Sequence, residues 1–356
     1  MKANHVRGIK AWIDPIALGT AAGSVLSILI LTGCQSTSTS LDSAAPKIVE
    51  VRRIWDRAPH NAFTDLTRCR GAWYCVFREG SGHVPGTDGV IRVLRSKDGE
   101  SWESCARISE TGIDLRDPKI CVMPDGRLMV LMGGSIYSGA NGAQGRTFVD
   151  ARTRVAFSPD GQSWSEPQPV SVEGQWLWRV TWHKGAGYGF GYSIRVPANQ
   201  VQITLWRTTD GINYQKIAEP KLPSTCWPDE STVRFLRNGT MVALVRGEQP
   251  GQHAFVGTSV KPYNQWHWTD TGHPAQGPNF IVPRDGRMLY AGRDFPDGPK
   301  TVLGLLTTTN STPLLVLPSG GDTSYPGLVR YRGLLWMSYY SSHEGKTAIY
   351  LARIRI

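Results

Sequence analysis

A tight turn at a glycine, placed between two apolar runs, returns six times along the chain and constrains its fold more than any other feature. The six turn glycines are Gly71, Gly126, Gly185, Gly239, Gly286 and Gly333. Successive glycines lie 55, 59, 54, 47 and 47 residues apart. Apolar runs on both sides of such a turn indicate a β-hairpin, and a hairpin repeated about every 40 to 50 residues is typical of a β-propeller. The sequence therefore predicts an all-β chain with six blades.

The clearest of these hairpins lies in residues 227–247, which read WPDESTVRFLRNGTMVALVRG. Asn-Gly between apolar runs is the strongest short hairpin signal, and it predicts a strand on each side of Gly239. Antiparallel strands bring the start of the first strand beside the end of the second. We therefore expect Glu230 and Arg246 at the same edge of the blade.

The same register recurs in other hairpins. Three arginines lie seven residues after their turn glycines: Arg78, Arg246 and Arg293. Three polar residues lie eight or nine positions before theirs: Asp117, Glu230 and Tyr325. If each hairpin forms the inner half of a blade, both sets converge on one rim around the axis. Pro326 is expected to hold Tyr325 in extended backbone at the start of its strand.

The chain begins with a segment typical of an export signal. Lys2, Arg7 and Lys10 precede an apolar stretch of small residues at positions 16–31. This pattern is typical of a secretory signal rather than of a membrane-spanning helix. The stretch ends Leu-Thr-Gly-Cys, which resembles the lipobox of bacterial lipoproteins and implies cleavage before Cys34 with lipid on its thiol. A cleaved signal followed by a chance cysteine is the alternative.

These features divide the chain into three parts. Residues 1–33 are the expected signal, and residues 34–47 are a polar, serine- and threonine-rich tether. Residues 48–356 form the expected propeller, and the apolar alternation at residues 48–54 predicts a strand that closes the ring. The predicted location is outside the cytoplasm, anchored by lipid to a bacterial membrane on its periplasmic or cell-surface face.

The chain is basic, which favours an anionic partner. Its formal net charge is +10, and +8 remains once Lys2, Arg7, Lys10 and Asp14 of the signal are removed. No basic run interleaves with aromatic residues, which argues against nucleic acid as the partner. The histidines are dispersed and no C-x-x-C pair occurs, so we expect no metal site and no cofactor. We expect a monomer.

The cysteines beyond Cys34 do not indicate a disulfide scaffold. They are Cys69, Cys75, Cys105, Cys121 and Cys226. Their number is odd and their spacing is wide. Cys69 and Cys75 flank one turn, so pairing between them and free thiols both remain open.

A second short motif follows three of the hairpins. It reads SKDGESW at residues 96–102, SPDGQSW at 158–164 and TTDGINY at 208–214. Asp-Gly forms a tight turn and the aromatic side chain can pack back into the blade, so we assign these segments a structural role. They resemble the Asp-boxes of the sialidase (neuraminidase) superfamily, S-x-D-x-G-x-x-W, shortened by one residue.

The order of the rim residues is similar to that family as well. Its six-bladed propellers carry an acid in a first-blade loop, then a glutamate, two arginines, a tyrosine and a late glutamate. Over about residues 50 to 356, this chain has the same order in Asp88, Glu230, Arg246, Arg293, Tyr325 and Glu344. The resemblance implies an exported glycoside hydrolase of sialidase type, which releases a terminal acidic sugar (sialic acid or a related sugar) from a glycan.

The resemblance also implies catalytic roles. Tyr325 would be the nucleophile, because a neutral tyrosine avoids the repulsion that a carboxylate nucleophile meets from a sugar carboxylate. A phenol has a pKa of about 10, so it needs an adjacent base, and Glu230 would serve. Asp88, in the first-blade loop, is the implied general acid. His83 in the same loop and Asp65 on the inner strand are the alternatives.

Further residues are expected to contact the substrate. They are Arg78, Arg246, Arg293, Arg116, Arg179, Asp117, Glu344, His83 and Asp65. Arginines bind a carboxylate through two-pronged, charge-assisted hydrogen bonds, and Glu344 would hold one of them by an ion pair. The family carries an arginine in a Phe/Tyr-Arg-Ile-Pro motif at the start of blade one, whereas this chain has HNAFTD at residues 60–65. Arg78 is the candidate replacement.

This departure keeps two other functions open. The first is a glycosidase acting on a different anionic sugar, such as a uronic or keto-acid sugar. The second is a non-catalytic propeller that binds glycans, since one fold hosts many functions. Close approach of Tyr325 and Glu230 favours an enzyme, whereas side chains that point apart favour the binding protein.

Overall fold

The computed structural model confirms the predicted fold: six antiparallel sheets surround one axis as a six-bladed β-propeller. The described residues are 45–84, 86–224, 226–250 and 252–356. They form 25 strands and one short 3-10 helix, Ala198–Gln200, and include no helix long and apolar enough to cross a membrane. The predicted signal, Cys34 and most of the tether lie outside the described residues.

The first described strand closes the ring. Strand β1, Lys47–Trp55, pairs antiparallel with β25, Ala348–Arg355, and becomes the outermost strand of the sixth blade. The two ends of the propeller are thus joined by a ladder of backbone hydrogen bonds. This is the closing role predicted for residues 48–54.

The other strands follow in chain order, and the first strand of each blade lies nearest the axis. Among the described residues blade three has five strands and each other blade has four, with β1 counted in blade six. Blades one and two contain β2 His60–Cys69, β3 Ala72–Gly80, β4 Val90–Ser96, β5 Glu103–Ile108, β6 Asp114–Val122, β7 Leu128–Tyr137, β8 Phe148–Ser158 and β9 Gln168–Pro169. Blades three and four contain β10 Gln175–Leu177, β11 Thr181–His183, β12 Ala186–Ser193, β13 Ile203–Thr208, β14 Tyr214–Ala218, β15 Cys226–Phe235, β16 Met241–Pro250, β17 Phe255–Ser259 and β18 His267–Asp270. Blades five and six contain β19 Gln276–Ile281, β20 Met288–Asp294, β21 Lys300–Leu306, β22 Ser311–Val316, β23 Thr323–Tyr331, β24 Leu334–Ser341 and β25. In blade three the inner strand is divided, and β10 and β11 both pair with β12.

All six predicted hairpin turns are present, and each joins the two inner strands of a blade. The six turn glycines adopt φ values between 78° and 88°. This is the left-handed region that a residue with a Cβ enters only at a cost, which explains why glycine stands at the turn. The periodicity of these glycines in the sequence therefore reports the blade repeat directly.

A β-bulge interrupts the innermost strand of five blades at the same height. Four residues at these bulges have left-handed φ values between 49° and 64°: Phe63, Asp117, Gly277 and Tyr325. A bulge re-aims the side chains of its strand, and here it turns them toward one end of the axis. Tyr325, with φ 51°, is therefore not extended as Pro326 led us to expect. Proline is tolerated beside it because a bulge removes the need for a ladder hydrogen bond.

Side chains join the innermost strands of neighbouring blades. Thr64 Oγ1 of blade one donates to the carbonyl oxygen of Tyr325 in blade six, at 2.8 Å. Thr232 Oγ1 of blade four donates to the carbonyl oxygen of Pro278 in blade five, also at 2.8 Å. These bonds satisfy carbonyl groups at strand edges that face the axis and that no further strand covers. They also hold the bulges in register around the ring.

The Asp-Gly turns fix one blade against the next. Asp98 accepts hydrogen bonds from two backbone amides of its own turn, at 2.8 and 2.9 Å. A side chain in place of Gly99 would overlap Trp336 of blade six, and one in place of Gly161 would overlap Tyr74 of blade one. This packing supports the structural role predicted for these turns.

The five described cysteines are free thiols, so Cys69 and Cys75 are not paired. The two residues face different partners across the hairpin: Cys69 lies opposite Ala72, and Cys75 lies opposite Leu66. Burial raises the pKa of the Cys121 thiol to about 12. Such buried thiols stay protonated and act as small apolar side chains.

Candidate active site

The bulges converge on a cavity of about 350 Å³ at one end of the axis. Its charged lining residues are Arg116, Asp117, Asp229, Glu230, Arg246, Glu248 and Arg293. Tyr325 and His83 also line it, with an aromatic wall formed by Phe63, Tyr137, Phe148, Trp176 and Tyr192. The structure thus brings Asp117, Glu230 and Tyr325 to one rim with Arg246 and Arg293, as the register predicts.

Tyr325 and Glu230 are in direct contact at the floor of this cavity. The Tyr325 hydroxyl donates a hydrogen bond to Glu230 Oε1, and both side chains are buried. The other carboxylate oxygen, Glu230 Oε2, accepts from the Gly277 amide at 2.6 Å and from Arg246 Nη1 at 2.9 Å. Arg246 Nη1 also donates to the Tyr325 oxygen at 3.3 Å. One guanidinium therefore fixes both members of the pair.

The surroundings shift the pKa values of Tyr325 and Glu230 in opposite directions. Burial, together with the charge of Glu230, raises the pKa of Tyr325 well above its usual range. Burial also favours the protonated form of Glu230, but the charge of Arg246 and the hydrogen bonds from Tyr325 and Gly277 outweigh it and lower its pKa. The resting pair is thus a neutral phenol beside an ionised carboxylate. This is the protonation state that a nucleophile and its base require before reaction.

Arg246 lies among three carboxylates. It forms ion pairs with Glu230 and Glu248, and its Nε lies 3.7 Å from Asp229 Oδ2. Burial, reinforced by the charges of Glu230 and Glu248, raises the pKa of Asp229 well above its usual range. The pKa values of the adjacent Asp229 and Glu230 carboxyl groups are thus shifted in opposite directions.

Arg293 is held by neutral oxygens. Its Nε and Nη2 donate to the carbonyl oxygen of Thr323 at 2.9 and 2.7 Å, and Nη2 donates to the Tyr340 hydroxyl at 3.2 Å. Nη1 donates to Gln276 Oε1 at 3.2 Å. The guanidinium centre lies 5.8 Å from the ring of Tyr325. Arg293 thus places a positive charge beside the phenol, and its closest carboxylate oxygen among the described residues is Asp322 Oδ1, 3.6 Å from Nη2.

Arg116 supplies the third guanidinium of the lining. Its Nη1 donates to the carbonyl oxygen of His83 at 3.2 Å and to the Tyr137 hydroxyl at 3.4 Å. Its guanidinium centre lies 5.2 Å from the ring of Phe63. The neighbouring Asp117 is buried, which raises its pKa, although Arg116 opposes that shift.

Lys119 lies beneath the tyrosine and was not singled out from the sequence. Its ammonium nitrogen is 4.3 Å from the ring centre of Trp178 and 5.6 Å from that of Tyr325. It donates to the carbonyl oxygens of Asp117 and Pro118, at 3.2 and 3.4 Å. Burial lowers the pKa of Lys119 to about 8. No local pattern marks such a residue, because only the ring of strands buries it.

His83 lies at the mouth of the cavity and its ring is held by Asp322. Nδ1 of His83 is 2.8 Å from Asp322 Oδ2, and Nε2 of His60 is 2.9 Å from the same oxygen. The Tyr340 hydroxyl donates to Asp322 Oδ1 at 2.7 Å. Burial opposes ionisation of Asp322, but hydrogen bonds from His60 and His83 outweigh it and lower its pKa. The sequence signal for Asp322 was its position three residues before Tyr325.

His60, His83 and Asp322 also offer three donor atoms within 4.8 Å of one another, close enough to surround a metal ion. Their surroundings do not suit a cation. Arg293 Nη2 lies 3.6 Å from Asp322 Oδ1, and the hydrogen bonds described above already use the Asp322 oxygens. We therefore assign these residues to a hydrogen-bond network.

Two predicted residues of blade one lie outside the cavity lining. Asp88 is buried in an ion pair with Arg146, with Asp88 Oδ1 2.7 Å from Arg146 Nη2. Arg78 is fully buried, and its Nε donates to Asp114 Oδ1 at 2.8 Å while Nη1 donates to the Gly82 carbonyl at 2.9 Å. Arg78 shares the register of the other arginines, but the first-blade loop folds over it and uses its donors. It does not replace the missing blade-one arginine.

Three further predicted residues also lie elsewhere. Arg179 Nη1 pairs with Asp65 Oδ2 at 2.7 Å, and both residues line the axis below the candidate site. Glu344 accepts from the Tyr350 hydroxyl at 2.8 Å and lies 3.3 Å from Arg53 Nη1 at the outer side of blade six. The side chains of these three residues do not line the cavity.

Comparison with known proteins relates the chain to others by fold. No protein-family model matches the chain, and no curated protein sequence matches it. The structure of a protein of unknown function from Dyadobacter fermentans superposes with a TM-score of 0.76 at 18% identity, covering 88% of this chain and 99% of that one.

Two glycoside hydrolases share the architecture. An α-L-arabinofuranosidase from Fusarium graminearum superposes with a TM-score of 0.63 at 15% identity, over 87% of this chain and 98% of that one. Trypanosoma rangeli sialidase in complex with sialic acid superposes with a TM-score of 0.62 at 13% identity, over 87% of this chain. The match spans 59% of that sialidase. At these identities the likeness establishes the fold, a six-bladed propeller that these glycoside hydrolases also have.

Proposed function

We propose that this protein is a glycoside hydrolase that releases a terminal acidic sugar through a covalent intermediate on Tyr325. The observation that carries the proposal is the hydrogen bond from the Tyr325 hydroxyl to the ionised Glu230, in a cavity that three guanidiniums line. The two side chains point toward each other, which favours an enzyme over a glycan-binding propeller. The glycoside hydrolases that share the fold support the same class of reaction.

The substrate carboxylate would bind among Arg116, Arg246 and Arg293. Each guanidinium is held by fixed oxygens, so little side-chain freedom is lost on binding. Planar guanidiniums suit a carboxylate better than ammonium groups do. Because residues 60–65 contribute no arginine and Arg78 is buried, the acceptable sugars are sialic acid or another sugar acid that these three residues can hold.

In the first step, the Tyr325 oxygen attacks the anomeric carbon while Glu230 takes the phenolic proton. The bond to the leaving oxygen breaks, and this oxygen needs a proton of its own. His83 lines the same cavity, its ring is oriented by Asp322, and Asp88 is bound to Arg146. We therefore give the role of general acid to His83 rather than to Asp88 or Asp65.

In the second step, water replaces Tyr325 at the anomeric carbon. Neutral His83 removes a proton from this water, and Glu230 returns its proton to the departing phenolate. Both residues end in their starting protonation states, and the anomeric configuration is retained after two inversions. Arg246 and Arg293 stabilise the phenolate while it carries negative charge.

A mechanism-based trap tests this proposal. The purified protein would be treated with a 2,3-difluoro sugar acid, whose fluoride leaves without a proton, and then digested for peptide mass spectrometry. We expect the label on Tyr325, together with hydrolysis of fluorogenic acidic glycosides. A label on a carboxylate, or activity restricted to neutral glycosides, would contradict the proposal.

A second candidate function rests on the balance of charges in the cavity. Four carboxylates line it against three guanidiniums, and burial raises the pKa of Asp117. A protonated Asp117 and an ionised Glu230 would form the acid and nucleophile of an ordinary two-carboxylate glycosidase. In that case Glu230 would carry the covalent label, and Tyr325→Phe would keep most of its activity on neutral glycosides.

We also propose that lipid on Cys34 anchors the protein to a bacterial membrane outside the cytoplasm. The sequence Leu-Thr-Gly-Cys after an apolar stretch supports this proposal. Cys34→Ala should release the protein into the soluble fraction of cells that process lipoproteins. Persistent membrane association of Cys34→Ala would argue against the anchor.

A further inference from the structure

A second cavity, of about 320 Å³, lies on the axis on the other side of the bulges from the candidate active site. Residues from the innermost strands of all six blades line it. Among the described residues the two linings have no member in common, and on β6 Asp117 lines the active-site cavity while Ile120 lines the axial cavity. The axial cavity is therefore a distinct site that the proposed reaction does not use.

The charged residues that line the axial cavity do not neutralise one another. Its charged residues are Asp65, Arg179 and Arg234. Asp65 is the one carboxylate that the described residues contribute to this lining. Its Oδ2 accepts from Arg179 Nη1 at 2.7 Å and from the Ile120 amide at 2.9 Å, so it is already engaged. Two guanidiniums thus face one acid, and a net charge of +1 remains.

Arg234 contacts neutral acceptors. Its Nη1 donates to Thr181 Oγ1 at 2.6 Å and to the Val233 carbonyl at 2.8 Å, and its Nη2 donates to Asn279 Oδ1 at 2.8 Å. Within the described part of the chain it makes no ion pair. Burial and the charge of Arg179 lower the pKa of Arg234 to about 9.

Arg179, which also lines the axial cavity, has a hydrogen-bond donor that is without a partner among the described residues. Its side chain is 7% exposed, and Nε has no hydrogen-bond partner among the described residues. A buried donor without a partner is unfavourable, and so is a recessed positive charge without a counter-charge. One small anion placed between Arg179 and Arg234 would relieve both.

We propose that the axial cavity binds a small inorganic anion of halide type between Arg179 and Arg234. The anion accepts from the guanidiniums and balances the charge that Asp65 leaves uncompensated. Asp65, Arg179 and Arg234 belong to three different blades, and Asn279 adds a fourth, so the bound anion ties the innermost strands together. Its effect is on the stability of the ring, independently of any reaction at Tyr325.

The experiment compares thermal unfolding in sodium bromide and in sodium gluconate at equal ionic strength. Gluconate is the reference anion because it is larger and more strongly hydrated than bromide, whereas bromide should bind in the axial cavity of the folded protein. Above its Kd, each tenfold increase in bromide should raise Tm by about 2 °C. Arg234→Met should remove the difference between the two salts, and should be at least as stable as the wild type in gluconate.

Arg107→Met is the matched control, because Arg107 is exposed on an outer strand and should leave the bromide effect unchanged. Crystals grown in bromide would show anomalous density between Arg179 and Arg234, even if Arg234→Met does not fold. Equal Tm values for the wild type in both salts would overturn the proposal. So would a bromide effect that survives in Arg234→Met.

Discussion

The Tyr325 hydroxyl, in blade six, donates a hydrogen bond to the Glu230 carboxylate, in blade four, across the axis of the propeller. The two residues are 95 positions apart in the chain. Each lies at a bulge of an innermost strand, and the bulges point both side chains toward the same cavity. Blade five lies between them and contributes Gly277, whose amide completes the bonding of Glu230.

Removing either member of this pair should abolish turnover with little loss of stability. Tyr325→Phe keeps the ring but lacks the attacking oxygen, and Glu230→Gln keeps the shape but lacks the base. We expect kcat on an acidic glycoside to fall by about 10³ or more in each, with Tm nearly unchanged. The double variant should be little worse than either single one, because the two groups act as a unit. Additive losses would contradict the coupled mechanism.

Substitution of His83 should affect substrates according to their leaving groups. A nitrophenolate leaves without a proton, whereas a sugar or alkyl alcohol needs one. His83→Gln should therefore lower kcat/KM by about 10² or more for alkyl glycosides and only slightly for nitrophenyl glycosides. His253→Gln is the control, since His253 forms a similar pair with Asp270 at 3.1 Å outside the cavity. Equal losses for both substrates in His83→Gln would exclude proton donation by His83.

Arg246→Lys should discriminate between acidic and neutral ligands. Lysine keeps the charge but loses the two-pronged geometry, and a charged hydrogen bond contributes roughly 1.5–3 kcal/mol. Binding of a sugar acid should weaken by about 10-fold or more, as measured by calorimetry. The analogue that lacks the carboxylate should lose less. Similar losses for both ligands would argue against carboxylate recognition.

Gly277→Ala should reduce activity by displacing the nucleophile. A Cβ at this position would lie 2.8 Å from Cδ2 of the Tyr325 ring, and Gly277 has φ 64°. Gly286→Ala is a matched control, because Gly286 has φ 83° but no atom of the described part of the chain lies within 4 Å of its Cβ position. Both variants should lose about 1–2 kcal/mol of stability from the left-handed backbone. Only Gly277→Ala should have a lowered kcat. Similar kcat values for Gly277→Ala and Gly286→Ala would contradict this prediction.

Lys119 should make stability depend on pH in alkaline solution. Its pKa is about 8 in the folded protein, against 10.5 for an ordinary lysine. Between these values the unfolded chain holds a proton that the folded chain has released, so stability rises with pH across this window. Lys119→Met avoids the burial of the charge and should be more stable at pH 7, by up to about 3 kcal/mol. This advantage should shrink toward pH 10.5, and a constant difference in Tm would show that Lys119 does not titrate there.

Much of the architecture follows from the sequence alone. The glycine turns are local: a left-handed backbone position selects glycine wherever the chain reverses, so their spacing reports six hairpins before any packing is known. The alternation at residues 48–54 likewise predicts a strand whose partner lies in the last blade. Register within each hairpin then places Glu230 near Arg246 and directs Tyr325 to the same rim.

The direction in which each side chain points was decided by the tertiary structure. Arg78 has the same register as Arg246, but the first-blade loop buries it against Asp114. Asp88 occupies the expected loop, yet Arg146 from another blade removes it from the cavity. Such partners come from distant parts of the chain, and a pattern of residue types does not reveal them.

The sequence pattern also does not reveal which charged residues are buried around the axis. Lys119 and Arg234 carry no local signal, because each depends on strands from other blades that close around it. Turn chemistry and strand register act between neighbours in sequence, so the sequence determined the blades and the ring. Electrostatic and packing energies sum over all nearby atoms in space, so only the assembled propeller decided which charges meet in the cavity.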